Sequence, residues 1–170
     1  GDGTSGNNTV DFGLFTGITV GNLVWNDTID NGLKDASEAG IPGVQVQLMN
    51  PGADNAIGGT DADADTVLQT TSTSGSGLYS FKVFTSGNYF VRVTPPTGAA
   101  LASSIVVNSD NGVDDDNNGT QLSGADSAVD SMILALDAGS EPGSSGSGNV
   151  ENTIDFALHA RSLGADGVHA

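Results

Sequence analysis

Hydrophobic and polar residues alternate with a period of two along much of the chain. Val44, Val46 and Leu48 are separated by Gln45 and Gln47; Tyr79, Phe81 and Val83 by Ser80 and Lys82; Tyr89, Val91 and Val93 by Phe90 and Arg92. Such alternation puts every second side chain on one face, the mark of a strand buried on one side. Further strands are predicted over 18–25, 66–73, 104–108 and 129–136. Between them lie turn-forming stretches rich in Gly, Pro, Asn and Ser, including AGIPG, STSGSG, TSGN and TPPTG. No segment shows an apolar stripe at 3.6-residue spacing with caps, so the pattern predicts an all-β fold without long helices.

The two ends carry near copies of one strand. NTVDFGLF over 8–15 matches NTIDFALH over 152–159, Asp11 falling on Asp155. Repetition at this distance suggests units in series, cut slightly out of frame, or a strand that one unit lends to its neighbour; the alternative is two similar strands of one sheet. The Gly/Ser-rich stretch 139–152 is expected to be flexible. The predicted organisation is an N-terminal strand over 1–16, a sandwich over 17–160 and a tail or linker over 161–170.

Composition narrows the partners. With 21 acidic and 4 basic residues the 170-residue chain carries a net charge of −17, which disfavours nucleic acid and anionic membrane surfaces. No apolar run is long enough to insert in a membrane as a helix. The N-terminal residues lack the regions of a signal peptide, so the chain is expected to be either a mature secreted fragment or one whose export signal was removed. A chain only 36% hydrophobic has little apolar material for a core, and bound cations would relieve its self-repulsion.

The carboxylates fall in loop patterns. In DTIDNGLKDASE, counted from Asp27, oxygen-bearing side chains stand at positions 1 (Asp27), 5 (Asn31), 9 (Asp35) and 12 (Glu38), glycine at 6 (Gly32), and the Leu33 carbonyl at 7. This is the spacing of a twelve-residue calcium loop except at position 3, where Ile29 replaces an oxygen ligand and Asp30 stands beside the gap. An all-oxygen donor set suits Ca2+ rather than a soft metal; the alternative is a polar turn. A second stretch offers Asp114, Asp116, Asn118, Gly119 and the Thr120 carbonyl in the order of positions 1, 3, 5, 6 and 7, with no acid at 12. TDADADT over 60–66 is a weaker third candidate.

The segments VGNLVWNDTIDNGLKDASEAGIPGVQVQLMN and GLYSFKVFTSGNYFVRVTPP resemble the B-type domains of serine-aspartate-repeat surface adhesins, within the collagen-adhesin B group. The resemblance implies an immunoglobulin-like or prealbumin-like β-sandwich with long calcium-binding loops. It implies ligands at Asp27, Asn31, Asp35, Glu38 and the Leu33 carbonyl, and an extracellular setting, secreted or at the cell surface. Some relatives close a Lys–Asn isopeptide; with Lys34 inside the loop and Lys82 alternating outward, none is expected here.

Catalytic motifs are missing from the sequence, and His159 and His169 lie in the last strand and the tail. The expected function is a non-enzymatic, calcium-stabilised structural module of a surface fibre, stalk or filament, partnered by neighbouring copies of itself in tandem or by strand donation. The alternative is a ligand- or carbohydrate-binding adhesin module with Trp25 as a sugar platform.

Overall fold

The computed structural model describes residues 16–60, 63–97, 99, 101–104, 112–124, 126–141 and 148–160. Residues 1–15 of the N-terminal strand expected over 1–16 lie outside them, as do the C-terminal tail expected over 161–170 and most of the strand expected at 104–108. The described residues are all β: β1 (Ile18–Asn26), β2 (Gln45–Asn50), β3 (Thr66–Ser72), β4 (Leu78–Val83), β5 (Gly87–Thr94), β6 (Leu101–Ser103), β7 (Thr120–Gln121), β8 (Val129–Asp130), β9 (Leu134–Leu136), β10 (Val150–Glu151) and β11 (Phe156–Ala160). The expected strand over 129–136 is two short ones, because Ser131 between them turns its hydroxyl to accept the Val91 N–H at 2.9 Å.

Two sheets form a sandwich. One runs β4-β1 and then β10 and β11 in succession along the same side of β1, with β6 beyond β11; the other is β3-β2-β5 followed by β8 and β9, with β7 beyond β8. The alternating residues meet between them: Ile18, Val20 and Val24, Phe81 and Val83, Val46 and Leu48, Val91 and Val93, Phe156 and Leu158 belong to one buried cluster. On the other face of β1 and β11, Leu23, Trp25 and Ala157 form a second, small cluster. Strands with both faces covered read as continuous apolar runs, and VW in β1 and FAL in β11 do so.

Chain direction distinguishes the two ends of the sandwich. β1 and β11 are parallel, Val24 opposite Phe156 and Asn26 opposite Leu158. The first strand therefore starts at one pole, beside Val83 and Phe84, and the last strand ends at the opposite pole, beside the loop that leaves Asn26. We call these the leading and the trailing pole. Between the pairs Val20–Glu151 and Val24–Phe156, three residues of β1 face four of the returning strand. The extra residue makes a bulge at Asn152–Asp155.

Candidate calcium loops

The loop leaving β1 is closed at its neck by backbone pairing. Asn26 N–H donates to the Ala39 carbonyl at 2.9 Å, and Ile41 N–H to Val24 at 2.8 Å. Inside this neck the acidic side chains turn onto the loop's own amides. Asp27, fully buried, accepts the N–H of Asn31 at 3.2 Å and of Gly32 at 2.7 Å. Asn31 accepts the Leu33 N–H and donates to the Asp35 carboxylate at 3.1 Å. Glu38 reaches back to the N–H and hydroxyl of Thr28 and to the Asp35 N–H. The tight path requires left-handed backbone at Asp30 (φ 53) and Gly32 (φ 72), which aspartate tolerates and glycine adopts freely.

Asp27, Asn31, Asp35 and Glu38 are thus brought into one hydrogen-bonded loop. Ile29 is 64% exposed. Asp30, the neighbour of the missing ligand, stands 3.3 Å from His159 Nδ1 on the closing strand. Lys34 spans the loop and donates to the carbonyls of Asp35 at 3.0 Å and Glu38 at 2.6 Å. The donor set, carboxylate and amide oxygens with the Leu33 carbonyl, fits a hard cation by its chemistry. Among the described residues, however, no three acidic or histidine side chains converge on one point. The carboxylates are satisfied by amides in this arrangement.

The second acidic stretch lies directly against the first. Leu33 and Asp116 form an antiparallel bridge, with Lys34 N–H donating to Asp115 at 2.8 Å and Asn117 N–H to Gly32 at 2.9 Å. Asp114 accepts from the Asn22 amide of β1 at 2.5 Å. Asp116 accepts from the Asn118 amide at 3.1 Å, both side chains being buried. Thr120 lies apart, exposed at the start of β7.

Asn118 and Asn117 hold the closing strand. Asn118 donates its N–H to the Asp155 carbonyl at 2.9 Å while its side-chain oxygen accepts the Asp155 N–H at 2.7 Å. The Asn117 side-chain oxygen accepts the Ala157 N–H at 3.1 Å. The two amides supply what an adjacent strand would have offered, at a place where the bulge breaks the ladder.

The centre of this arrangement is Asp155, a buried carboxylate at the bulge that accepts the Leu23 N–H at 2.8 Å and the Asp115 N–H at 3.0 Å. Burial pushes its pKa up to about 8, the Asp114 carboxylate adds to the rise, and the two amide donors oppose it. Burial and Asp114 also raise Asp115, which Lys34 pulls back down. Sequence reasoning did not single out Asp155, Asn117 or Asn22 as parts of a site. An acid inside the apolar run TIDFAL was the available signal for Asp155; an amide standing in for strand backbone leaves none.

The other sequence candidates fall elsewhere. In the 60–66 stretch, Asp65 accepts the Gly58 N–H at 3.0 Å and stands 3.6 Å from Arg92, which forms a two-pronged pair with Asp130 at 2.7 Å for each bond. Asp61 and Ala62 lie outside the described residues. Trp25 is fully buried, so the sugar-platform reading fails: the ring offers no face to a ligand. Lys82 points outward and donates to the Thr19 hydroxyl at 2.8 Å.

Comparison with known proteins agrees with this architecture. The family model described as the SdrD B-like domain matches residues 18–140. Serine-aspartate repeat-containing protein F of Staphylococcus epidermidis (strain ATCC 12228 / FDA PCI 1200) is 35% identical over 129 residues, covering 75% of this chain and 7% of that protein. Serine-aspartate repeat-containing protein D of Staphylococcus aureus (strain Newman) is 34% identical over 129 residues, again 75% of this chain and 9% of that protein. The chain thus spans less than a tenth of the length of the curated relatives it matches. With the two-sheet sandwich, the looped-out DTIDNGLKDASE segment after β1 and a match over most of its length, the chain belongs to the SdrD B-like domain family.

Proposed function

We propose that this domain is a non-catalytic spacer of an extracellular surface protein, its acidic loops stabilised by Ca2+ and its units linked in series through the repeated strand. The observation that carries the reading is the junction of two acidic loops at the trailing pole. Asp27, Asp35, Glu38, Asp114, Asp115 and Asp116 all sit on two segments stitched together by backbone hydrogen bonds. The Lys34 ammonium donates to the Asp35 and Glu38 carbonyls of the first loop, and its charge draws down the pKa of Asp115 in the second. Asp27, Asn31, Asp35, Glu38 and the Leu33 carbonyl would hold the ion, which would supply positive charge where carboxylates crowd. The Asp114, Asp116 and Asn118 oxygens and the Thr120 carbonyl form the candidate second set.

Extracellular modules bind calcium with dissociation constants of about 10⁻⁴ to 10⁻³ M. At tenfold that concentration a single site adds about 1.4 kcal/mol to stability. Thermal unfolding in millimolar calcium and in chelator tests the proposal: a higher melting temperature with calcium supports it, and equal values remove calcium from it. No side chain is asked to act as nucleophile or base.

A further inference from the structure

The described strand β11 shows what each side chain repeated in residues 8–15 would do. Ile154, Phe156 and Leu158 enter the main core, Ala157 packs with Leu23 and Trp25, and Asp155 takes the Leu23 and Asp115 amides. The N-terminal copy presents Val10, Phe12, Leu14, Gly13 and Asp11 in the same order. Each of these is identical or smaller, so none overfills its place in the core; Phe15, at the half-buried place of His159, is the larger side chain of the segment. The phenylalanine matters most, since Gly119 clears the space for that ring: a Cβ on Gly119 would come 2.5 Å from Phe156 Cδ1. The remaining attachments, to β1, β6, Asn117 and Asn118, grip main-chain atoms and would hold either copy.

Spacing supplies a second observation. In the repeat, Thr16 corresponds to Ala160, the last residue of β11, and β1 starts at Ile18. Gly17 alone lies between. Its position admits no side chain easily, because a Cβ would stand 2.9 Å from both the Phe84 ring and the Val83 carbonyl. A copy whose repeat filled the β11 place of another would therefore have its leading pole against the other's trailing pole. Ile29 on the trailing pole and Phe84 on the leading pole, 64% and 63% exposed, are the most exposed large hydrophobic residues among those described. Lys82 beside Thr19 lies in the leading half of the sandwich, and the acidic loops lie at the trailing pole.

We propose that copies of this chain join head to tail, strand 8–15 of one copy taking the β11 place of the next, with Phe84 of the donor packing against Ile29 of the acceptor. This rests on the linked-unit reading above and names its partner: a second copy of this chain. The contact is heterologous, the leading pole of one copy against the trailing pole of the next, so it adds copies in series rather than pairing two symmetrically.

The test unfolds the full chain and refolds it at rising protein concentration in calcium, then measures mass by light scattering after size exclusion. The expected result is a ladder of multiples that Phe12→Asp reduces at least tenfold, with the monomer's melting temperature unchanged, and that Ile29→Ser shortens. Because the chain has no cysteine, Leu14→Cys chains refolded with Ser103→Cys chains should yield a mixed disulfide, Ser103 being the partner of Leu158. A chain that stays monomeric, a Phe12→Asp ladder equal to the wild type, or no mixed disulfide overturns the exchange; an Ile29→Ser ladder of wild-type length overturns the pole contact. The melting comparison in calcium and chelator is read on the monomer, so failure of the calcium reading is seen separately.

Discussion

Asn118→Asp separates two tasks that one residue could have. As a calcium ligand at position 5 of its loop, Asn118 would lose nothing on becoming a carboxylate, which is an equally good oxygen donor. As the clamp on the closing strand, its side-chain oxygen would still accept the Asp155 N–H, now 2.7 Å away. Its amide, however, is also the donor to Asp116 Oδ1 at 3.1 Å. The substitution removes that donor and sets a second carboxylate against Asp116, with both side chains buried. Loss of a hydrogen bond to a buried charged group costs about 1.5–3 kcal/mol. Two like charges about 4 Å apart repel by roughly 4 kcal/mol at an effective dielectric of 20, a cost that protonation of one of them limits. A net loss of about 3 kcal/mol corresponds to a fall in melting temperature of roughly 6–12 °C for a domain of this size. Circular dichroism melts in chelator and in calcium read it directly. A variant melting at or above the wild type in calcium would refute the Asn118–Asp116 hydrogen bond as a source of stability and favour Asn118 as a metal ligand.

Other expectations rest on the same geometry. Phe156→Ala empties the space made by Gly119 and should cost about 3–5 kcal/mol in chemical denaturation; a loss under about 1 kcal/mol would show that β11 is not an integral part of the core. Asn117→Ala leaves the Ala157 and Gly119 amides without their side-chain acceptor and should cost about 1–3 kcal/mol, again seen in denaturant melts. In chelator, the raised pKa of Asp155 makes stability greatest below the unfolded value of about 4 and lowers it as pH climbs through about 8. The decline should be on the order of several kcal/mol and should flatten in Asp155→Asn; a wild type whose stability rises over that interval contradicts the shift. Glu38→Gln should lower the melting temperature more in calcium than in chelator, and an equal drop in both would leave Glu38 only its hydrogen bonds to Thr28 and Asp35.

The strands with clean alternation were legible in advance because one face of each meets the core: Tyr79, Phe81 and Val83 are buried while Ser80 and Lys82 are exposed. The short strands were not. Thr120–Gln121, paired with Val129–Asp130, and Val150–Glu151, paired with the distant β1, are two-residue pieces too short to show a period, and no local pattern marks them. The oxygen-bearing residues of the first loop were visible through their spacing, and the structure does bring Asp27, Asn31, Asp35 and Glu38 together. What spacing could not show is that the second stretch lies against the first and is anchored on the last strand. That contact joins residues 32–34 to residues 115–117, a long-range pairing of two loops. Ile29 looked like a defect in a metal loop; its exposure at a pole gives the residue another use.

The parallel pairing of β1 with β11 also decides how the domain answers a pull. Tension applied to a chain that starts at one pole and finishes at the other draws β1 and β11 in opposite directions along their common axis. The hydrogen bonds between them, with those from Asn117, Asn118 and Asp155, are then sheared together instead of being peeled apart one at a time. Rupture must wait for many to break at once, so stretching a single molecule by its ends should show a high unfolding force, and moving one attachment point to the other end of β11 should lower it.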